Sequence, residues 1–294
     1  MTKPHGSGYA ADALDMACWP RWAEAARVDE AASARAYGTT PPACRTALKT
    51  GLALAHMHFG QRTGRQREER CDDHPGFWRH SDSFPAPWAI VAFTPGYTAA
   101  ARLAAACVPA LLAGVTLLGA VCVGGAPSDT ALVSLELCGV EDVFLLDTTG
   151  LSALLEECQP GPGRLLLLHS GELDGALRTA RILDMPCYEE RRPPTLVLPD
   201  PEAFDLQALA FAQGEALEHA LEPSRPLMPT ALYLKPDAAQ GHCKTHKFGP
   251  FRYAASLALS PGCEGFWLHK GLTPDFFRIE RLAFGPDKRN VPDR

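Results

Sequence analysis

The chain has 294 residues, of which 46% are hydrophobic and 21% are charged, values typical of a globular protein with a core of its own. Its formal net charge of −6 at pH 7 argues against a surface for nucleic acid or acidic membranes. No apolar run approaches the ~20 residues that span a bilayer. Since the first residues also lack the apolar core of a secretion signal, a cytoplasmic location is expected.

The first part of the chain, residues 1–84, is predicted to be helical with loops. An alanine-rich helix is expected to close at Gly38. A second helix is expected from Cys44 to Arg70, because its apolar residues recur near the helical period. Its last part, GRQREER, is expected to be a solvated helix face. Residues 71–87 are rich in Asp, His, Pro and Ser, which predicts a loop.

From Pro87 onward, short apolar strands alternate with helices. The predicted strands are WAIVAF, TLLGAVCV, DVFLLD, RLLLLH, PTLVLP and TALYL. Strands of this length separated by helices indicate right-handed βαβ units and a mainly parallel sheet, hence an α/β fold with Rossmann-like sheets flanked by helices. Ser128 and Gly139 are the expected caps of one of these helices.

The predicted organisation has two α/β parts after the helical segment. Residues 85–187 are expected to form a Rossmann-like domain, and residues 188–294 a second α/β domain with an irregular carboxyl-terminal tail. Within that tail, PDFFRIERLAF is predicted to be a final helix.

The strand WAIVAF ends in a turn that is a candidate anion site. An alanine-rich helix follows it, and a helix start carries a partial positive charge that suits a phosphate or carboxylate. The candidate contacts are Thr94, Pro95, Gly96, Tyr97 and Thr98. A strand, a turn with one glycine and a helix form an anion site no more often than they form a plain buried connection. Both interpretations therefore stay open.

Other reactive side chains have weaker patterns. His242, Cys243 and His246 could supply zinc ligands, with His219 or Cys263 as a fourth, although an unliganded surface group is the commoner outcome. Cys243 or Cys263 is an alternative nucleophile. The ten cysteines are scattered without a CxxC pair and are expected to be reduced.

Two further segments have a functional and a plain interpretation. Arg191-Arg192 beside two prolines could clamp an anion, or could be a solvated pair. Trp267 and His269 could cover a pocket or simply pack.

Several motifs together resemble the histidinol dehydrogenases, which share the aldehyde dehydrogenase fold. They are AHMHFGQ, AIVAFTPGYTA, VPALLAGV, LELCGVEDVF, LVLPD and GLTPDFF, in one order across roughly residues 45–285. Gly161-Pro162-Gly163 falls where the family has Gly-Pro-Gly-Asn, so the resemblance adds Gly161 and Gly163 to the candidate cofactor-binding residues. It implies two Rossmann-like domains and makes NAD a candidate cofactor.

The chain departs from that family at its reactive residues. Ala216 stands where the family's zinc-binding glutamine would be, three residues before His219. The family's catalytic Glu-His pair has no counterpart between the last predicted strand and the GLTPDFF segment. Tyr97 replaces the second glycine of the turn, and its side chain would hinder a cofactor's close approach. Zinc is therefore not expected.

Three functions remain from the sequence. The favoured hypothesis is a diverged relative without histidinol dehydrogenase activity that retains a cleft for a nucleotide or a small polar ligand. The alternatives are an active NAD-dependent oxidoreductase with a rebuilt active site, and a structural or assembly subunit. The expected partner is a small molecule, and a homodimer is one candidate assembly. Neither nucleic acid nor a membrane is expected as a partner.

Overall fold

The computed structural model describes residues 18–72, 77–158, 161–220, 230–234 and 255–286. The α-helices are α1 (Arg21–Glu24), α2 (Glu30–Thr39), α3 (Pro42–Phe59), α4 (Ala100–Ala113), α5 (Asp129–Cys138), α6 (Thr148–Glu157), α7 (Asp174–Ile182), α8 (Leu206–Gln213) and α9 (Glu215–Ala220). None of these helices combines the length and the apolar character needed to cross a bilayer.

The strands form three sheets. They are β1 (Gln66–Asp72), β2 (Phe77–Pro85), β3 (Trp88–Phe93), β4 (Leu117–Val123), β5 (Asp142–Leu146), β6 (Arg164–Leu168), β7 (Cys187–Glu190), β8 (Leu196–Val197), β9 (Ala231–Tyr233), β10 (Leu257–Leu259) and β11 (Arg278–Pro286). Two of the sheets are parallel and the third is antiparallel.

A five-stranded parallel sheet is the centre of the fold. Its order is β5-β4-β3-β6-β7, and every residue of β3 and β6 is buried. Burial on both faces explains why these strands are continuous apolar runs rather than alternating ones. The prediction of an α/β fold with a parallel sheet between helices is confirmed.

The strand order places the natural ligand site of this sheet. The chain runs from β3 through β4 to β5 on one side and then crosses to β6 on the other side of β3. The carboxyl ends of β3 and β6 therefore flank a switch point, where connections leave in opposite directions and open a crevice.

Helices cover both faces of this sheet as their sequences predict. α4 is buried along almost its whole length and packs in one apolar layer, and α6 and α7 pack on the opposite face. The predicted caps of α5 are confirmed, because the Ser128 hydroxyl accepts the amide hydrogen of Ala131 and Gly139 takes a left-handed conformation.

The antiparallel sheet corrects three of the local predictions. The helix expected to reach Arg70 ends at Phe59, where Gly60 has a φ of 66° that other residues rarely adopt. The GRQREER segment was expected to be a helix face, but most of it lies in strand β1, and β2 occupies most of the predicted 71–87 loop. The two strands pair with each other. Charged side chains reach solvent as easily from an exposed strand as from a helix, so the charge pattern does not distinguish the two.

The predicted final helix was also wrong. Pro274–Phe277 form one 3₁₀ turn, and RIERLAFGP forms β11, which pairs with β2. Arg278 fixes the start of β11, because its guanidinium donates to the carbonyls of Arg62, Gly64 and Ser83. The structure of this segment is decided by its pairing with a strand about 200 residues earlier in the chain, and not by its local helix propensity.

A small parallel sheet, β10-β9-β8, lies against α3, α4 and α8 through a second apolar layer. The division of the chain at residues 84 and 187 stays a prediction.

Candidate functional site

The switch point holds a cavity of about 190 Å³. Its walls come from the turn after β3, the start of α4, the loop after β6 and the end of β7, including Thr94, Gly96, Tyr97, Arg102, His169 and Glu190. The described structure thus brings part of the predicted turn to a cavity. We call this the smaller cavity.

A buried ionic network centred on Glu190 forms the wall of the smaller cavity. One oxygen of Glu190 accepts from the Tyr97 hydroxyl at 2.8 Å and from the Arg102 guanidinium at 2.5 and 3.2 Å. Nδ1 of His269 lies 3.2 Å from the other oxygen. The side chains of Arg102 and His269 are 2% and 1% exposed, so the network is shielded from solvent.

The backbone specifies the proton on His269. Its Nε2 lies 2.7 Å from the carbonyl oxygen of Arg102, which can only accept, so Nε2 is the donor. Nδ1 faces the carboxylate of Glu190.

The network fixes the charges of its members. Burial by itself would raise the pKa of Glu190, but the hydrogen bond and charge of His269, with the charge of Arg102, lower that pKa to about 2. Burial and the neighbouring carboxylate hold the pKa of the Tyr97 hydroxyl well above its usual value. At neutral pH, Glu190 is therefore ionised and Tyr97 is protonated.

A second cavity, of about 530 Å³, lies on the other side of Glu190. It separates the end of β7 from the starts of β8, β9 and β10, and the end of α3 also reaches it. Glu190, Arg192 and Pro193 line both cavities. We call it the larger cavity, and the two together the cleft.

The larger cavity resolves the alternatives for two sequence segments. Trp267 and His269 do line a cavity, together with Lys270. The Arg191-Arg192 pair is divided: Arg192 lines the cavity, whereas Arg191 is paired with Asp174 at 2.9 Å. Both arginines are exposed, as expected for a solvated pair, but only Arg192 lines the cavity.

His169, Asp174 and Glu189 offer metal-ligand atoms within 4.8 Å of one another. However, Nδ1 of His169 accepts the backbone N–H groups of Gly171 and Leu173, at 2.9 and 3.2 Å. Nε2 therefore carries the proton and donates to Glu189 at 3.1 Å. The imidazole therefore offers no free lone pair to a cation, and Arg191 already occupies one oxygen of Asp174.

The start of α4 is less accessible than a typical anion site. Ala99 to Arg102 are all buried, and a Cβ added to Gly214 would lie 3.2 Å from the Ala99 amide nitrogen. The junction of α8 and α9 thus covers the helix start, although Gly96 and Thr98 remain exposed. A cofactor role for Thr94–Thr98 stays a prediction.

Gly161 and Gly163 lie elsewhere. They precede β6 at the amino end of the sheet, opposite the Thr94–Thr98 turn, and a Cβ at Gly163 would be 2.4 Å from the Trp88 ring. The structure gives Gly163 a packing role, and it does not bring this pair to the cleft. Their cofactor role likewise stays a prediction.

The candidate metal ligands are mostly outside the described residues. His242, Cys243 and His246 fall in the undescribed range 235–254, and His219 lies in α9 with its side chain not described. Cys263 is half-buried, with its sulfur 3.9 Å from the Ser260 hydroxyl. The absence of zinc stays a prediction.

None of the described cysteines lines either part of the cleft. Burial raises the pKa of Cys107, Cys122, Cys158 and Cys187 to about 12, so these thiols are not nucleophilic thiolates at neutral pH.

Sequence reasoning missed the central group, Glu190, and its partner Arg102. The signal for Arg102 was available: it is the one charged residue in an otherwise apolar helix, AARLAAACVPALLA, and such a residue needs a buried partner. Glu190 had no comparable signal, because it follows another glutamate at the end of a short strand.

Comparison with known proteins identifies the fold. No protein-family model and no curated protein matches the sequence. The structure of histidinol dehydrogenase from Elizabethkingia anophelis superposes with a TM-score of 0.55 at 10% identity, covering 90% of this chain and 77% of that one.

Aldehyde dehydrogenase structures match more weakly and over about half of their length. Methylmalonate-semialdehyde dehydrogenase from Oceanimonas doudoroffii has a TM-score of 0.35 at 18% identity, covering 71% of this chain and 51% of its own. The aldehyde dehydrogenase from Brucella melitensis biovar abortus has a TM-score of 0.33 at 15% identity, with 69% and 48% covered. The chain has a fold similar to that of histidinol dehydrogenase, and the likeness is one of fold.

Proposed function

We propose that this chain is a diverged histidinol dehydrogenase-like protein that binds a nucleotide or a small polar ligand in the cleft and has no histidinol dehydrogenase activity. The observation that carries this proposal is the Glu190 network, which separates the two cavities and commits the buried carboxylate to Arg102, Tyr97 and His269.

The charge state of this network favours binding over proton transfer. A general base works best when its pKa is near the working pH, whereas the pKa of Glu190 is about 2. A carboxylate held by three partners is a fixed charge that orients neighbouring groups before a ligand arrives. The cleft therefore supplies preorganised charge rather than a mobile proton.

The zinc chemistry implied by the resemblance does not fit the residues present. Ala216, which aligns with the family's zinc-binding glutamine, is fully buried in the apolar layer beneath the small sheet. A methyl group there offers no lone pair, and surrounding it with apolar side chains leaves no room for a charged ion. Zinc therefore has no part in the proposed function.

The alternative function is an active NAD-dependent oxidoreductase with a rebuilt site. One observation favours it: the smaller cavity lies at the switch point of the parallel sheet, where open α/β sheets bind their ligands, dinucleotides included. The same observation suits a nucleotide that is bound without reaction.

A thermal-shift screen with NAD, NADP, ADP, histidinol and zinc chloride tests the proposal. A ligand that binds the folded state at about a hundred times its Kd raises the melting temperature by on the order of 5 °C. We expect such a rise with at least one nucleotide.

The same preparation, incubated with NAD and histidinol, is expected to form no NADH above a heat-inactivated sample. Histidinol-dependent NADH formation would refute the absence of activity. If no compound in the screen shifts the melting temperature, the binding proposal fails.

A further inference from the structure

The larger cavity contains two cations without an ionic partner among the described residues. Arg192 and Lys270 both line it, and neither forms a salt bridge or a side-chain hydrogen bond in that part of the chain. Glu190, the acidic residue in the same wall, is already neutralised by its ion pair with Arg102. The described wall therefore has a net positive charge.

The neighbouring arginine shows that this arrangement is specific to Arg192. Arg191 forms an ion pair with Asp174 at 2.9 Å and lines neither part of the cleft. Two prolines follow Arg192 and restrict the backbone of the segment. One arginine is thus neutralised at the surface while the next is left for a ligand.

A buried donor lies in the same wall. Trp267 is 3% exposed, and its indole N–H has no hydrogen-bond partner among the described residues. That nitrogen is closed to solvent, so the ring of Trp267 contributes to the wall and its N–H lies beneath it.

The end of α3 opposes these charges only weakly. His58 and Phe59 reach the cavity from the last turn of α3, where the macrodipole amounts to about half of a negative charge. Two full positive charges exceed it. The balance still favours an anion.

Apolar surface completes the cavity. Phe59, Tyr188, Pro193, Pro194, Leu257 and Leu268 contribute to it. Its volume of about 530 Å³ lies within the roughly 300–1,000 Å³ of typical small-molecule sites. The cavity accommodates a flat organic body in addition to a charged group.

We infer that the ligand of this cleft is an organic anion, with a carboxylate or phosphate group held between Arg192 and Lys270 and an apolar or aromatic body in the larger cavity. This inference rests on the proposed function and deepens it by naming the ligand class. Histidinol, whose amine is cationic at neutral pH, is the opposite type of molecule.

Calorimetric titration with matched pairs of compounds tests the inference. ADP is compared with adenosine for the phosphate, and indoleacetate with tryptophol for the carboxylate. At least one anion is expected to bind about tenfold more tightly than its neutral partner, because a charge-assisted hydrogen bond strengthens binding by that order. The pair that shows the difference identifies the anionic group.

Three single variants locate the effect: Arg192→Gln, Lys270→Gln and, as the matched control, Arg191→Gln. We expect the first two each to weaken the anion about tenfold and the control to leave it unchanged. Cooperative melting of each variant near the wild-type temperature establishes that it is folded, as expected for exposed positions.

The outcomes separate this inference from the proposed function. If the anion binds but Arg192→Gln and Lys270→Gln leave its affinity unchanged, or if the neutral partner binds equally well, the inference is overturned and the binding proposal stands. If none of the four compounds binds folded protein, the inference is overturned. If no ligand of the thermal-shift screen binds either, the proposed function is overturned with it.

Discussion

Glu189 and Glu190 are adjacent carboxylates at the end of β7, and their environments are opposite. Successive side chains of a strand point to opposite faces of the sheet. Glu190 points inward to Arg102 and His269, and its side chain is 10% exposed. Glu189 points to the opposite face, towards the buried His169 and the exposed Arg191, and is 27% exposed.

The two glutamates differ in how much stability the protein is expected to lose when a charged partner is removed, although their partners are of the same types. Each has a histidine and an arginine nearby. Only around Glu190 is the arginine removed from water, which makes the loss of one partner expensive. Around Glu189, water remains available to replace a lost contact.

The largest expected effect is that of Glu190→Gln on stability. The substitution leaves Arg102 as a buried cation without a counter-charge, which typically costs about 3–5 kcal/mol of unfolding free energy. Urea denaturation followed by circular dichroism measures it.

Glu189→Gln is the matched control, with an expected loss below about 1 kcal/mol. Equal losses for the two variants would contradict the contrast between the inner and outer faces of β7.

Acidification should remove the Glu190 contribution from the wild-type protein. Because the folded-state pKa of Glu190 is lowered from 4.5 to about 2, its contribution is complete above pH 4.5 and is lost as the pH falls towards 2. The shift corresponds to on the order of 3 kcal/mol.

Unfolding free energies measured across this range should show the stability difference between wild type and Glu190→Gln shrinking as the pH falls. A difference that stays constant from pH 4.5 to 2 would assign the stabilisation to packing instead of charge.

Tyr97→Phe should have an intermediate effect. It removes the hydroxyl that donates to Glu190 at 2.8 Å but leaves Arg102 and His269 in place. Loss of one hydrogen bond to a charged group amounts to about 1.5–3 kcal/mol. The same urea titration measures it, and a neutral result would show that water replaces the hydroxyl.

The smallest effect is expected for Arg191→Gln. Its ion pair with Asp174 joins side chains that are 52% and 40% exposed, so its loss should change stability by less than about 1 kcal/mol. A larger loss would mean that Arg191 organises the loop after β6, which differential scanning calorimetry would reveal as a lower melting temperature.

The parallel sheet could be predicted because its strands are buried on both faces and their apolar runs are visible locally. The antiparallel sheet could not. QREER and RIERLAF are half-polar segments whose patterns suit a helix or an exposed strand, and only pairing with β2 decides between them. Helix α3 ends at Phe59, and Gly60 after it is a typical signal for a helix end. The prediction passed over this signal because the periodic pattern of apolar residues continues beyond it.

The candidate site also has a part that could be predicted from the sequence and a part that could not. The Thr94–Thr98 turn follows an obvious strand, so its position at the sheet edge was predictable. The larger cavity was not, because Arg192, Trp267 and Lys270 are brought to one cavity only by the tertiary fold, between the end of β7 and the starts of β8, β9 and β10. Sequence could name Arg192 and Trp267 as candidates but could not place them in one wall.

Hydrogen–deuterium exchange with and without ADP, and with and without indoleacetate, tests the central claim most directly, because it locates a ligand without assuming a reaction. We expect at least one of the two anions to slow exchange in residues 188–195 and 267–273, which line the larger cavity, and to leave β5 unchanged. Slower exchange confined to residues 126–145, beside a separate cavity formed by α2 and α5, or no change with either anion, would contradict this claim.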